Sequence, residues 1–319
     1  VSSLDVVSLG STAEGIEVFM DRHAYESDGV MLVSRVKWHT DFAGKLESGL
    51  FKMMAIGLGK FAGAQRYHAF GYRLGMEHVV RTVGKQVLTS GKILGGLAIV
   101  EDAYHNTAKL EALPAEIMES REEELLELAK SWAGRIPVES LDILIVDEMG
   151  KDISGTGMDT KVINRSIHAE YNVWPHLPRI ARVFVRDLSD LTYGNAVGIG
   201  MADMATDRLV DRIDWTATLV NAMTSGKPEG VRTPLHSRTD RECLERLALT
   251  VGKFNPKEVT LGWIRNTMEL SLLGLSENLE EEIRRNPNLE IIGAPRPLEF
   301  DEEGNLVNLL AAAREMAAQ

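Results

Sequence analysis

Apolar and polar residues in the first third of the chain alternate in short runs closed by glycine or an acidic residue. That rhythm predicts strands and tight turns more than long helices. Residues 4–9 (LDVVSL), 17–20 and 29–38 read as strands on this ground. From 48 to about 58 the spacing changes: Leu50, Met53, Met54 and Leu58 fall on one side of a helix, with Ser48 placed to cap it. A second helix is expected within 67–88 and a glycine-containing apolar strand at 93–100. The clearest amphipathic helix is at 114–133, which carries the run SREEELLELAKSWA.

Gly134 and Pro137 then interrupt the pattern and mark a domain break. The run at 141–149, LDILIVDEM, is apolar on both faces. That is the mark of a parallel core strand, whose carboxyl end delivers Asp147 and Glu148 to the edge where α/β sites sit. Residues 182–187 read as a second such strand, 195–214 and 240–252 as helices, and the tail EIIGAPRPLEFDEEGNLVNLLAAAREMA as a short strand and a final helix. Strands and helices alternate throughout, so the fold class is α/β.

Length and composition narrow the classes. With 319 residues and 44% hydrophobic content the chain can bury two ordinary cores. A formal charge of -12 argues against a nucleic-acid partner, which would need clustered Lys and Arg. The single cysteine, Cys243, excludes an intramolecular disulfide framework and a zinc site built on several thiolates. No run is long and apolar enough to span a membrane and no secretory leader opens the chain, so a cytoplasmic location is expected. The chain starts at Val1, directly in a strand-like alternation, and further residues are expected upstream.

Reactive side chains concentrate in KWHTDFAGKLESGLFKMMAIGLGK, residues 37–60, and in His68 just beyond. His39 follows a strand, in a loop with Thr40 and Asp41, where a general acid/base would meet substrate; a lone histidine there is more often structural. Lys52 lies among apolar neighbours that would lower its pKa and sharpen it as a nucleophile, although an exposed snorkelling lysine reads the same. His68 is either a packed ring or a metal ligand that needs donors from elsewhere. Gly57, Gly59 and Gly63 look like a phosphate loop but follow a helix, the wrong order for a dinucleotide fingerprint. A second glycine cluster, 154–157, precedes Asp159, Lys161 and Arg165. It is either a loop that clamps a carboxylate or a plain turn.

The segments HTDFAG, ESGLFK, AIGLGK with GAQRYH, IVDEMGKDISGTGMD and GNAVGIGMAD together resemble the lactate racemase family, in particular its shorter nickel-pincer-dependent relatives. The ordered set His39, Lys52 and His68 carries the resemblance, with Ser48-Gly49 before the lysine and sixteen residues from Lys52 to His68; the interval from His39 to Lys52 is longer than in the family. The resemblance implies a racemase or epimerase of a 2-hydroxy acid. It also implies a cofactor, a pyridinium mononucleotide whose two sulfur donors and ring carbon hold nickel. Lys52 would be the covalent tether, His68 the nickel ligand and His39 the general base. His23 is the in-chain candidate for the second acid/base, and Lys161 with Asp159 for substrate contacts. Expected partners are the small-molecule 2-hydroxy acid and the enzymes that build the cofactor. The implied architecture is two α/β domains with mostly parallel sheets flanked by helices, facing each other across a cleft. Residues 1–137 would bind cofactor, 138–288 would form the second domain, and 289–319 would be a strand and helix returning to the first. Two alternatives stay open, a lysine-tethered pyridoxal-type enzyme and a non-catalytic small-molecule-binding homologue.

Overall fold

A computed structural model describes residues 3–310 and Ala313. The fold is α/β, and it divides into two compact units, Val1–Ala133 and Gly134–Gln319.

The first unit opens with an antiparallel hairpin of β1 (Val6–Ser11) and β2 (Glu17–Asp21), followed by a short helix α1 (Arg22–Glu26) and strand β3 (Val30–Arg35). The helix expected over 48–58 has a more broken form. It is a single α-turn, α2 (Leu50–Lys52), then a π-helical stretch Met53–Gly57, then α3 (Leu58–Leu74) with a non-helical break at Lys60. The helix expected over 67–88 is also two. Gly75, at φ 83, ends α3 and opens α4 (Met76–Leu88). Strand β4 (Ile93–Glu101) lies parallel to β3 and antiparallel to β5 (Thr107–Pro114), which the hydrophobic pattern did not single out because Lys109 and Glu111 share its more covered face with Leu113 while Leu110 and Ala112 are exposed. Helix α5 (Met118–Trp132) closes the unit, with Met118, Glu122, Leu125, Leu126 and Ala129 on its buried stripe.

Glycines set how closely these layers approach. A side chain at Gly84 would strike the ring of Phe51, and one at Gly96 would strike Leu50. Leu50 and Phe51 are therefore seated directly on the backbone of α4 and β4, and both are fully buried. Such apolar side chains contribute about 2–5 kcal/mol each against truncation to alanine.

The second unit is built on a six-stranded sheet of order β11-β10-β6-β7-β8-β9, in which every neighbouring pair is parallel except β10 and β11. Its centre is β6 (Ser140–Met149) and β7 (Arg179–Leu188). Leu144, Val146, Val183 and Val185 face one core, whereas Ile143, Ile145 and Phe184 face the other, so the apolar run follows from burial on both sides. The helix expected over 195–214 does not form. That segment makes a 3-10 turn at Ile199–Met201, strand β8 (Met204–Thr206) and helix α6 (Asp207–Asp211). Gly198 has φ 98, and a side chain there would collide with the Thr156 carbonyl, so close backbone packing overrides the helical pattern.

The remaining elements are α7 (Trp215–Ser225), β9 (Leu235–Ser237), α8 (Asp240–Ala248), β10 (Leu261–Ile264), β11 (Gly274–Leu275) and α9 (Glu280–Arg285). The short strand expected in the tail is reduced to one bridge between Phe300 and Leu306. Leu306 and Leu310, in the segment read above as returning to the first domain, are buried in the second unit's own core beside Trp263. Most of the expected final helix lies outside the described residues. Among the described residues, no helix is long and apolar enough to cross a membrane.

Candidate active site

Two of the sequence candidates meet. Lys52 Nζ lies 2.6 Å from His39 Nε2. The loop that carries His39 is closed at its base, where Lys37 N–H donates to the Ser48 carbonyl. It is filled by the buried carboxylate of Glu47, which accepts from His39 N–H at 2.7 Å through one oxygen and from Gly44 N–H at 3.0 Å through the other. Lys130 of α5 reaches the same carboxylate at 3.0 Å and the Gly44 carbonyl at 3.2 Å. Burial alone would lower the pKa of Lys130, but the bond to Glu47 and its charge hold it above the ordinary value. The Phe42 ring lies 4.2 Å from the imidazole.

Hydrogen-bond direction favours one tautomer of His39. Asp41 N–H donates to His39 Nδ1 at 3.0 Å, so Nδ1 offers a lone pair. A neutral imidazole then carries its proton on Nε2. In that tautomer Nε2 is the donor of the contact with Lys52 Nζ; with the ring proton on Nδ1 the lysine donates instead.

Lys52 ends the single turn of α2 and is followed directly by the π-helical stretch. Eight residues on, Lys60 has φ 53 inside a helix and pairs with Asp21 at 3.1 Å. Both π-stretches and left-handed non-glycine backbone concentrate at functional sites. Gly59 and Gly63 are not a phosphate loop. They leave room for the Tyr67 ring, whose hydroxyl accepts from Phe19 N–H at 2.8 Å.

His68 lies on α3, half-buried, and its Nδ1 donates to the Ala64 carbonyl at 2.7 Å. That bond leaves Nε2 with the lone pair a soft divalent metal needs, oriented as ligating histidines usually are. Among the described residues, no three His, Cys, Asp or Glu side chains converge on one point, so metal held here would need donors from a cofactor. His23 is exposed on α1.

The second unit treats its candidates differently. Asp159 accepts from Lys161 N–H at 2.8 Å, and its own N–H donates to Thr267. Lys161 is buried, its ammonium 4.4 Å above the Trp174 ring. Arg165 is fully buried too, stacked on Tyr171 at 3.7 Å and bonded to Asp203 at 2.8 Å. In the 154–157 cluster Ser154, Thr156 and Gly157 are buried and Gly155 is exposed.

At the carboxyl edge of the sheet, β6 leads on to β7 and β10 leads away to β11, so the ends of β6 and β10 form a topological switch point. A shallow cavity there is lined by Asp147, Glu148, Asp187, Asp190, Arg212 and Arg265. Its charges are largely spent on one another: Arg186 bonds Asp147 at 2.6 Å, Arg212 bonds Asp187 at 2.8 Å, and Arg265 pairs with Glu148 at 2.9 Å. Burial raises the Asp147 pKa despite Arg186 and the Trp263 N–H. Cys243 is buried, its thiol pushed up to about 12, so it is no nucleophile at neutral pH.

Sequence reasoning missed Glu122. Its carboxylate is buried and accepts from Phe51 N–H at 3.1 Å. It takes the capping role expected of Ser48; the N-cap residue is Gly49, which makes no side-chain bond. The signal was legible as a glutamate on the apolar stripe of SREEELLELAKSW. Burial pushes its pKa up to about 7, although the N–H groups of Phe51 and Leu50 favour the charged form.

No known family profile matches the sequence. No curated protein matches it either. Among solved structures the chain is similar to the lactate racemase apoprotein of Thermoanaerobacterium thermosaccharolyticum, with a TM-score of 0.44 and 12% identity, covering 83% of this chain and 67% of that one. A likeness at that level carries no weight for function.

Proposed function

We propose that this chain is an isomerase, a racemase or epimerase of a 2-hydroxy acid, working with a nickel-pincer nucleotide joined to Lys52. The observation that carries the reading is the 2.6 Å contact between Lys52 Nζ and His39 Nε2. A tethering lysine has to be neutral to react, and an acid/base has to stand beside the group it serves.

The donor set suits the group. Lys52 would hold it covalently, and His68 Nε2 would complete a soft, sulfur-rich coordination. When bound, the cofactor would supply an acceptor for the hydrogen on the substrate carbon. A hydrogen beside a carboxylate is a very weak acid, and moving it with its electron pair avoids a carbanion.

The chain's own part is the hydroxyl proton. His39 would take the hydroxyl proton at Nε2 in the tautomer that carries its own proton on Nδ1, with the Asp41 bond given up. The imidazolium so formed would return that proton in the opposite half, when the 2-keto acid regains its hydroxyl. The two faces of the planar keto acid then lead to the two configurations. Asp159 and Lys161 are the proposed substrate contacts of the second unit. Each is held in a local bond that it would have to give up to meet the substrate.

The test is mass spectrometry and nickel analysis of protein made together with cofactor-building enzymes. An adduct of mononucleotide size on the Lys52 peptide, with one nickel per chain, is expected. An unmodified Lys52 peptide in nickel-loaded protein would overturn the proposal.

A further inference from the structure

Helix α5 contributes nothing to the 39–68 segment by sequence, yet two residues of one face hold both halves of the His39–Lys52 pair. Glu122 reaches the start of α2 and satisfies N–H groups that the first turn of a helix leaves open. It occupies the space beside Gly49, where a side chain would collide with its carboxylate. Two turns further on, Lys130 grips Glu47, whose other oxygen holds the backbone of His39. Lys52 is only three residues from Gly49, in the first turn of the helical run, whose opening N–H groups have no partner within the helix.

We propose that Glu122 is the positioning residue of the reacting amine. It aims α2 so that Lys52 Nζ meets His39 Nε2, while the Lys130–Glu47 pair holds the imidazole to receive it. This rests on the reading of Lys52 as the reacting group but not on any cofactor, and the experiment keeps the two apart.

The probe is acylation by dilute acetic anhydride at pH 7, with the Lys52 and Lys227 peptides quantified in the same digest and folding checked by circular dichroism. Glu122→Ala should slow Lys52 acylation about tenfold or more, the size of one misplaced contact, while Lys227 is unchanged. Glu122→Gln keeps the shape and one acceptor and should restore the rate to within about twofold of wild type. Glu122→Asp, which withdraws the carboxylate by one methylene and is the safer variant to fold, should fall between. A wild-type rate at Lys52 in whichever of the Ala and Asp variants folds would overturn the proposal, because a merely structural Glu122 would change melting and not amine reactivity. A reactive Lys52 that never acquires a cofactor would sink the isomerase reading and leave this one standing.

Discussion

Each unit contains a histidine–lysine contact, and the two have opposite polarity. In the first, Lys52 Nζ is 2.6 Å from His39 Nε2, and the other ring nitrogen faces a backbone N–H. In the second, Lys227 Nζ is 2.8 Å from His168 Nε2, and the other ring nitrogen faces the Glu229 carboxylate at 3.6 Å. A donor at Nδ1 drives the ring proton to Nε2 and leaves the lysine to accept. A carboxylate near Nδ1 favours the ring proton there and leaves Nε2 to accept from the lysine. The group on the far side of the imidazole therefore sets the direction of each histidine–lysine hydrogen bond.

The largest effect should separate the pairs outright. Lys52→Arg should abolish both the cofactor adduct and all turnover of cofactor-loaded protein, whereas Lys227→Arg should leave both intact. Mass spectrometry and a chiral assay read the outcome, and turnover in the Lys52 variant would erase the distinction.

Support differs as well as polarity. Glu122 sits near pKa 7 in the folded chain and close to 4.5 when unfolded. The folded state holds that proton more tightly, so the stabilisation is fully present below pH 4.5 and is lost as pH rises through about 7. The swing is on the order of 3 kcal/mol at most, at about 1.4 kcal/mol per pH unit. Denaturant unfolding at several pH values should show that slope in wild type and lose it in Glu122→Gln. Glu229 in the other pair has its pKa lowered, by its own backbone N–H first and by His168 after the burial effect, and its replacement should leave the slope in place.

How much of this was legible in the chain depends on the distance over which each feature is decided. β6 and α5 were readable because a both-faces-buried strand and an amphipathic stripe are local patterns. The reactive lysine and histidine were nameable as types, but their contact depends on a loop closed by Glu47 and a helix capped by Glu122, which lies 71 residues from Phe51. No window of local periodicity spans that separation. The helix expected over 195–214 failed for a related reason: the glycines that disperse it, Gly198 and Gly200, are pressed against the carbonyls of Thr156 and Glu229.

A tenfold difference is expected next. At pH 7 a neutral amine acylates while an ammonium does not, so Lys52 in wild-type protein should react about tenfold faster or more than Lys227 under trace labelling. Equal rates would mean that the Asp41 bond does not govern the ring proton, and the contrast between the pairs would reduce to burial.

The smallest effect is the most direct test of polarity. Glu229→Met removes the carboxylate from His168 Nδ1 and leaves the contact with Lys227 otherwise in place. The ring is then free to carry its proton on Nε2, which allows Lys227 to act as the acceptor of the contact. Because His168 and Glu229 are partly exposed, water screens the change, and the gain in Lys227 acylation should not exceed about fivefold. The direction is what matters. A slower Lys227 in Glu229→Met would mean that the carboxylate had been favouring the free amine, and the account of both pairs would be reversed.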